Sequence, residues 1–173
     1  MKIVILGYMA CGKTFIASKL ASNLKIIHID LDDYIEEKEN LSIAELFKTK
    51  GEIYFRKIET KYLKEILVQE KEFILSVGGG TPCYGDNIQL IKDNSISIYL
   101  KASPLVLFSN LINEKEKRPL VSSLKDDELK EFIAKHLFER NFYYLQADHY
   151  VEVDKSRKTS KEVVEEIVSY IIP

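Results

Sequence analysis

The feature that most constrains the fold is a glycine-rich segment near the amino terminus. Residues 7–14 have the sequence G-Y-M-A-C-G-K-T and match the pattern G-x-x-x-x-G-K-[ST]. An apolar run, Lys2–Leu6, precedes the segment, and apolar residues recur at helical spacing from Lys13 to Leu24. A strand, a glycine-rich turn and a helix in this order predict a P-loop, whose backbone N–H groups bind phosphate. We therefore predict an ATP site here. A dinucleotide site is disfavoured because the segment lacks G-x-G-x-x-G.

The rest of the chain alternates between strand and helix patterns. Further strands are predicted at residues 26–29, 73–77, 95–100 and 149–153. Helices are predicted at residues 34–48, 53–69, 87–92, 104–113, 126–145 and 160–171. This alternation predicts a three-layer α/β/α fold with a five-stranded parallel sheet. The 173 residues suffice for a single domain, so we expect one P-loop domain over residues 1–173.

Composition narrows the class of protein. The formal net charge is -2 and acids and bases are mixed along the chain, so no nucleic-acid partner is expected. No apolar run reaches the ~18 residues of a membrane span. Two cysteines, Cys11 and Cys83, do not make a disulfide framework, so we predict reduced thiols and a cytoplasmic protein. His28, His136 and His149 show no metal-ligand spacing and are expected to be packing or surface residues.

Acidic residues follow the second predicted strand. Ligands collect at the carboxyl ends of strands in α/β sheets, so Asp30 and Asp32 are expected to face the same crevice as the P-loop. The third strand, F-I-L-S-V, carries no acid, so a magnesium shell would use Asp30 or Asp32 with the hydroxyl of Thr14. The alternative is that these carboxylates only cap a solvated helix, since aspartate favours that position.

Several features elsewhere in the chain are compatible with a second ligand. Arg56 and Glu59 lie at i and i+3 of one predicted helix, a spacing that is most often a surface ion pair. Three glycines, residues 78–80, directly follow a buried strand, which is tolerated where a ligand approaches the backbone. Arg118 lies in a polar segment without periodicity, residues 114–124, which we predict to be a mobile loop. Arg140 lies on a late helix.

Taken in order, these motifs resemble the shikimate kinase family over nearly the whole chain. The segments that carry the resemblance are G-Y-M-A-C-G-K-T, D-L-D, S-I-A-E-L-F, G-E-I-Y-F-R-K-I-E, G-G-G-T-P, K-R-P-L and E-R-N-F-Y-Y-L-Q-A-D. The resemblance implies a nucleoside monophosphate kinase-like fold. It also implies transfer of the ATP γ-phosphoryl group to the 3-hydroxyl of shikimate, in the biosynthesis of chorismate and aromatic amino acids. The partners it implies are ATP and shikimate with Mg²⁺, and we expect a monomer.

The resemblance also implies roles for individual residues. Lys13, Asp32 and Arg118 are the implied catalytic residues, and Thr14 and Asp30 the implied magnesium ligands. The implied ATP contacts are Ala10, Cys11, Gly12, Lys13, Thr14, Phe15, Arg118 and Arg157. The implied shikimate contacts are Asp32, Arg56, Gly78, Gly79, Gly80 and Arg140. The implied lid is the segment of residues 114–124, and the implied substrate-binding helical region covers residues 33–62.

Three departures from the family pattern generate further expectations. Ala10 replaces a frequent glycine, so we expect a negative φ there. Asn110 lies at or near the position of an arginine that usually covers adenine. Either Tyr143 or Tyr144 matches a family tyrosine, because the stretch after Arg140 is one residue shorter.

Two other functions are compatible with the P-loop. One is a different small-molecule kinase, such as a gluconate kinase or a nucleotide kinase, in which Arg56 and Arg140 would bind another anion. The other is a nucleotide-binding regulatory module without turnover. The set Lys13, Thr14, Asp32 and Arg118 disfavours a pure binding module, because binding alone does not need a lid arginine.

Overall fold

Five parallel strands form the sheet of the computed structural model, which describes residues 1–112, 121–154 and 156–172. The strands are β1 (Lys2–Leu6), β2 (Ile27–Asp30), β3 (Phe73–Ser76), β4 (Ile96–Lys101) and β5 (His149–Glu152). They lie in the order β2-β3-β1-β4-β5, and each neighbouring pair is parallel. The P-loop strand, β1, therefore lies at the centre of the sheet.

Seven α-helices occur in the described residues. They are α1 (Lys13–Leu24), α2 (Leu31–Glu39), α3 (Ile43–Leu67), α4 (Asn87–Asn94), α5 (Pro104–Ile112), α6 (Asp126–Tyr144) and α7 (Ser160–Ile171). A short 3₁₀ helix, Thr81–Cys83, follows the three glycines after β3. No helix within the described ranges has both the length and the apolar character to span a membrane.

Two apolar clusters cover the two faces of the sheet. Ile3 and Ile5 of β1 pack into one cluster, which includes buried residues of α1, α5, α6 and α7. Val4 and Leu6 point to the other face and join buried residues of α2, α3 and α4. Burying one such side chain contributes about 1.5–3 kcal/mol, so both faces of β1 stabilise the fold. The predicted three-layer arrangement with a five-stranded parallel sheet is confirmed.

The helix predicted at residues 34–48 is wrong, because two helices occupy this region. Asn40 ends α2 in the left-handed conformation, with φ of 53°. Ser42 then begins α3 with a capping box. Its side chain accepts from the Glu45 N–H, and the Glu45 carboxylate accepts from the Ser42 N–H. The predicted break at Gly51 is present as a kink inside α3, where φ is 82° and ψ is 170°.

The predicted lid falls mostly outside the described residues, and so does Arg118. Its last residues, 121–124, form a turn in which the Leu124 N–H donates to the Val121 carbonyl at 3.2 Å. Val121 is fully buried in the cluster that contains α6. This end of the segment is therefore anchored to the core.

Candidate active site

The carboxyl ends of three neighbouring strands converge at one edge of the sheet. β1 leads into the P-loop, β2 ends at Asp30, and β3 ends at Ser76 just before the three glycines. A cavity of about 730 Å³ opens here, and it is lined by Met9, Ala10, Cys11, Gly12, Lys13, Thr14, Phe15, Asp30, Asp32, Val77, Gly78, Gly79 and Asn110. A second cavity, of about 660 Å³, lies along α3 and contains none of the predicted site residues.

The P-loop has the geometry that phosphate binding needs. Gly12 has φ of 95° and ends the loop at the N-cap of α1, a conformation that glycine adopts without steric cost. The helix N-terminus behind it carries a partial positive charge of about half an elementary charge. The Lys13 ammonium donates to the Tyr8 carbonyl at 3.0 Å, so this lysine lies across the loop.

Ala10 does not have the expected negative φ. Its φ is 61°, in the left-handed region that a Cβ atom disfavours. The carbonyl of Ala10 accepts a hydrogen bond from the Asn110 side-chain amide at 2.9 Å. The Asn110 side chain therefore contacts the loop backbone and lines the cavity.

The Asp30 carboxylate both caps a helix and faces the P-loop, which are the two alternatives that its position in the sequence allows. One oxygen, Oδ1, accepts from the Asp32 N–H at 3.0 Å and caps α2. The other, Oδ2, accepts from the Thr14 hydroxyl at 2.8 Å and from the Ser76 hydroxyl at 2.7 Å. Three donors from three segments therefore fix this carboxylate beside the P-loop.

Ser76 is a site residue that sequence analysis missed. It is the polar residue of the apolar run F-I-L-S-V, and its side chain is 1% exposed. His28 Nε2 lies 3.0 Å from the Ser76 hydroxyl oxygen. Because the Ser76 hydroxyl donates its one hydrogen bond to Asp30, its oxygen must accept from His28, which places a hydrogen on Nε2. His28 therefore does more than the packing expected from its sequence context.

The environment of Asp32 changes its acidity. Burial raises the pKa of this carboxyl to about 6, with further upward contributions from the negative charges of Asp30 and Glu59. The Lys13 ammonium acts in the opposite direction. A carboxylate with a pKa near 6 can accept a proton at neutral pH better than an ordinary aspartate.

Each of the three glycines lies close to at least one charged side chain. A Cβ atom placed on Gly78 would lie 3.4 Å from Asp32 Oδ1, and one on Gly79 would lie 3.2 Å from Arg140 Nη1. On Gly80 it would lie 2.7 Å from Arg56 Nη2. Close packing therefore requires glycine most strictly at residue 80, since a methyl group there would overlap the guanidinium group.

The ion pair of Arg56 and Glu59 is not the surface pair that its spacing suggests. The Glu59 side chain is 1% exposed and that of Arg56 is 14% exposed, and Nη1 lies 2.9 Å from Oε2. The Thr81 hydroxyl donates to the other Glu59 oxygen at 2.6 Å. Asn87 in turn donates to the Thr81 carbonyl at 2.9 Å. This chain of bonds fixes Arg56 against Gly80.

Of the two candidate tyrosines, Tyr144 is the one whose hydroxyl reaches the glycine turn. It is fully buried and donates to the Gly79 carbonyl at 2.6 Å. Arg157 lies apart from the other predicted ATP contacts. It is not among the residues that line the cavity, its side chain is 79% exposed, and its Nε lies 3.5 Å from Asp154 Oδ2.

The donors beside the P-loop fit magnesium. Within the described ranges, no group of three or more His, Cys, Asp or Glu side chains could hold a metal ion by itself. Thr14 and Asp30 offer a hydroxyl and a carboxylate, joined at 2.8 Å. Mg²⁺ commonly binds one or two protein oxygens and completes its shell with substrate phosphates and water.

A phosphate-binding loop that faces carboxylates at the carboxyl end of β2, two strands away in the sheet, is an arrangement typical of a P-loop kinase, and the chain is an ATP-dependent kinase. Comparison with known proteins narrows this class. A family model described as "Shikimate kinase" matches residues 9–172. The chain therefore belongs to the shikimate kinase family.

Individual relatives agree with this assignment. A shikimate kinase of Flavobacterium johnsoniae is 48% identical over 171 residues, which cover 98% of each chain. A crystal structure of the Bacteroides thetaiotaomicron shikimate kinase has a TM-score of 0.91 and 34% identity, covering 99% of this chain and 98% of that one. A shikimate kinase of Acinetobacter baumannii, solved in complex with shikimate, has a TM-score of 0.88 and 26% identity, covering 99% and 92%.

Proposed function

We propose that the chain transfers the γ-phosphoryl group of ATP to the 3-hydroxyl of shikimate, giving 3-phosphoshikimate and ADP in chorismate and aromatic amino acid biosynthesis. The observation that carries the proposal is the convergence of Asp32, Arg140 and Arg56 on three successive glycines. Two guanidinium groups suit a carboxylate, and an aspartate suits a hydroxyl group. Shikimate offers both, and the related Acinetobacter baumannii enzyme was solved with shikimate bound.

On the acceptor side, we propose that Arg56 and Arg140 bind the shikimate carboxylate from two helices. Gly78, Gly79 and Gly80 provide a flat backbone surface against which the ring lies. The buried Glu59 supports this role of Arg56, because it takes one nitrogen of the guanidinium and leaves other donors for a ligand. The substrate-binding helical region then covers residues 33–62.

On the ATP side, we propose contacts from the loop residues Ala10, Cys11, Gly12, Lys13, Thr14 and Phe15, all of which line the cavity. Arg118, from a lid over residues 114–124, and Arg157 complete the proposed set. Lys13 would leave the Tyr8 carbonyl and neutralise the outer phosphates. The side chain of Phe15 is 58% exposed at the cavity, so it is available to contact a nucleotide.

We propose that Thr14 and Asp30 hold Mg²⁺ that enters with ATP. When bound, Mg²⁺ supplies positive charge that neutralises the phosphate oxygens as the γ-phosphoryl group departs. Asp30 would contribute a carboxylate already oriented by Ser76 and by the Asp32 N–H. The Thr14 hydroxyl, which donates a hydrogen bond to Asp30 in this structure, would then turn its hydrogen to another acceptor.

These proposed roles combine in a single transfer step. The 3-hydroxyl oxygen forms a bond to the γ-phosphorus while the bond from that phosphorus to the β–γ bridging oxygen breaks, and ADP is the leaving group. Asp32 orients the hydroxyl and accepts its proton, a role that its raised pKa favours. Lys13 and Arg118 stabilise charge on the transferred group, and the lid excludes water, which would compete as acceptor. We further propose a cytoplasmic monomer with one kinase domain and no nucleic-acid partner.

A coupled ADP-release assay tests the proposal. Purified protein with ATP and Mg²⁺ should release ADP when shikimate is added, and should ignore gluconate and nucleoside monophosphates. Lys13→Ala should abolish turnover, whereas Arg140→Ala should mainly raise the KM for shikimate. An ADP release that no acceptor stimulates, or that a nucleoside monophosphate stimulates instead, would overturn the proposal.

A further inference from the structure

The second residue of the P-loop, Tyr8, contacts a helix that is distant in sequence. Its side chain is 1% exposed, although the P-loop pattern places no requirement on this position. Its hydroxyl oxygen lies 3.0 Å from His136 Nδ1 on α6. The two rings pack edge to face, with centroids 5.5 Å apart and an interplanar angle of 87°.

Arg140 lies one helical turn beyond His136 and packs on the same tyrosine. Its guanidinium carbon is 5.6 Å from the centroid of the Tyr8 ring. A cation within about 6 Å of a tyrosine ring is attracted by the ring's negative face. Tyr8 therefore contacts both members of the His136–Arg140 pair, one through its hydroxyl and ring edge and the other through its ring.

The protonation states suit this arrangement. Burial raises the pKa of the Tyr8 phenol to about 12 against the opposing effect of Arg140, so the phenol keeps its proton at neutral pH. Burial and the positive charge of Arg140 lower the pKa of His136 to about 4. A neutral imidazole can accept a hydrogen bond from the phenol at Nδ1, and it places no second positive charge beside the arginine.

The main chain of Tyr8 has a separate function. Its carbonyl accepts from the Lys13 ammonium at 3.0 Å and from the Cys11 N–H at 3.3 Å. Both bonds involve backbone oxygen, so they do not depend on which side chain occupies residue 8. Changes to the phenol should therefore leave the nucleotide loop in place.

We propose that Tyr8 and His136 are positioning residues that hold Arg140 in the orientation needed to bind the carboxylate of the acceptor. The proposal rests on the proposed function, because it takes Arg140 to be a carboxylate ligand. Neither residue needs to touch the acceptor. The hydrogen bond to His136 fixes the plane of the Tyr8 ring, and the ring supports the guanidinium group.

The test compares the KM values for shikimate and for ATP, together with kcat. Tyr8→Phe and His136→Leu remove the same hydrogen bond, so each should raise the shikimate KM about threefold, and the double variant should do no more than either alone. Tyr8→Leu removes the ring as well and should raise it about tenfold. In all variants the ATP KM should stay within about twofold, because the loop backbone, with the Cys11 N–H bonded to the Tyr8 carbonyl, is unchanged.

A matched control is Phe132→Leu, which removes the other ring that packs on His136, with centroids 4.9 Å apart. This control should change thermal stability as much as His136→Leu does but leave the shikimate KM unaltered. If Tyr8→Phe and His136→Leu leave the shikimate KM unchanged while Arg140→Lys raises it, the positioning proposal is wrong and the proposed function stands. If Arg140→Lys also leaves it unchanged, Arg140 is not a carboxylate ligand and the positioning proposal is wrong, whereas shikimate-dependent turnover would still support the proposed function.

Discussion

Arg56 and Glu59 form an ion pair whose carboxylate is 1% exposed, with Nη1 at 2.9 Å from Oε2. A second carboxylate, that of Glu52, lies 3.5 Å from Arg56 Nε but is 67% exposed. Truncating one partner of a buried charge pair is much more disruptive than truncating an exposed one. The two glutamates therefore form a natural comparison around one arginine.

We predict that Glu59→Gln raises the shikimate KM about tenfold and lowers the free energy of unfolding by about 1–3 kcal/mol. The glutamine amide is neutral and has one oxygen, so it cannot offer a separate acceptor oxygen to Arg56 and to Thr81 as the carboxylate does, and Arg56 would be held less firmly. Glu52→Gln should change the KM less than twofold and the stability by less than about 0.5 kcal/mol. Steady-state kinetics and urea denaturation measure both. Equal effects from the two substitutions would contradict the prediction.

Asp32→Asn should abolish turnover and yet stabilise the fold at neutral pH. The folded-state pKa of Asp32 is about 6 against an ordinary value of 3.8, and one pKa unit corresponds to about 1.4 kcal/mol. As the pH rises, this carboxyl therefore ionises at a lower pH in the unfolded chain than in the folded protein. The free energy of unfolding of the wild type consequently falls between about pH 4 and pH 6. We expect the asparagine variant to be more stable by about 1–3 kcal/mol above that range, and the difference to vanish below it.

Urea denaturation at about pH 4 and about pH 7.5 measures this difference. The exposed neighbour Asp33 provides the control, because Asp33→Asn removes the same charge from the same turn of α2. The Asp33→Asn substitution should change the free energy of unfolding at neutral pH by less than Asp32→Asn does. A wild-type protein that is more stable than Asp32→Asn at neutral pH would show that the carboxylate is not penalised by burial.

Ser76→Ala should weaken binding of the divalent metal more than binding of the nucleotide. The Ser76 hydroxyl donates to Asp30 at 2.7 Å, and loss of a partner that orients a metal ligand typically weakens metal affinity by about tenfold or more. Titration of Mn²⁺ into the ADP complex, followed by electron paramagnetic resonance, measures this affinity without turnover. We expect a rise of roughly tenfold in the Mn²⁺ dissociation constant.

Ser97→Ala is the matched control for this prediction. Ser97 is also buried in a strand and donates to an aspartate, Asp148, at 2.6 Å, but it lies near the amino end of β4. Its loss should lower stability and leave the Mn²⁺ affinity unaltered. An unaltered affinity in Ser76→Ala would show that Thr14 and the Asp32 N–H suffice to orient Asp30.

Ala10→Gly should make the protein more stable. The left-handed φ of 61° costs alanine about 1–2 kcal/mol, whereas glycine adds about 0.4–1 kcal/mol of unfolded-state entropy. The net gain is about 0.5–1 kcal/mol, measurable by denaturant titration. Ala134→Gly, at an exposed position inside α6, should instead lower the stability by about 1 kcal/mol. The same sign at both positions would contradict the argument from φ.

Strands and loops could be predicted from the sequence where a local feature, such as an apolar run or a required glycine, determines their conformation. The apolar runs of β1 and β3 are buried on both faces, and the P-loop and glycine turn require glycine for stated steric reasons. The region around Asn40 was mispredicted because its αL residue and the Ser42 capping box interrupt an otherwise continuous helical pattern. The segment S-I-A-E at residues 42–45 carries the capping-box signature, so this helix start could have been predicted from the sequence.

Contacts between distant segments were not predictable. Ser76 and Asp30 are 46 residues apart, and Tyr8 and His136 are 128 residues apart. Nothing local distinguishes such residues from ordinary core positions, because their partners are set by the packing of β2 on β3 and of α6 on the P-loop. The burial of Glu59 was likewise hidden, since the spacing to Arg56 is the same in surface and buried pairs.

The position of Gly79 has a consequence for drug resistance. A Cβ atom at this residue would lie 3.2 Å from both the Arg140 guanidinium and the Met9 N–H. An enzyme often escapes a competitive inhibitor by enlarging a side chain in the wall of the pocket. Here a larger side chain would press on the P-loop backbone and on the arginine together, so we expect a resistance mutation at residue 79 to weaken the proposed binding of both substrates.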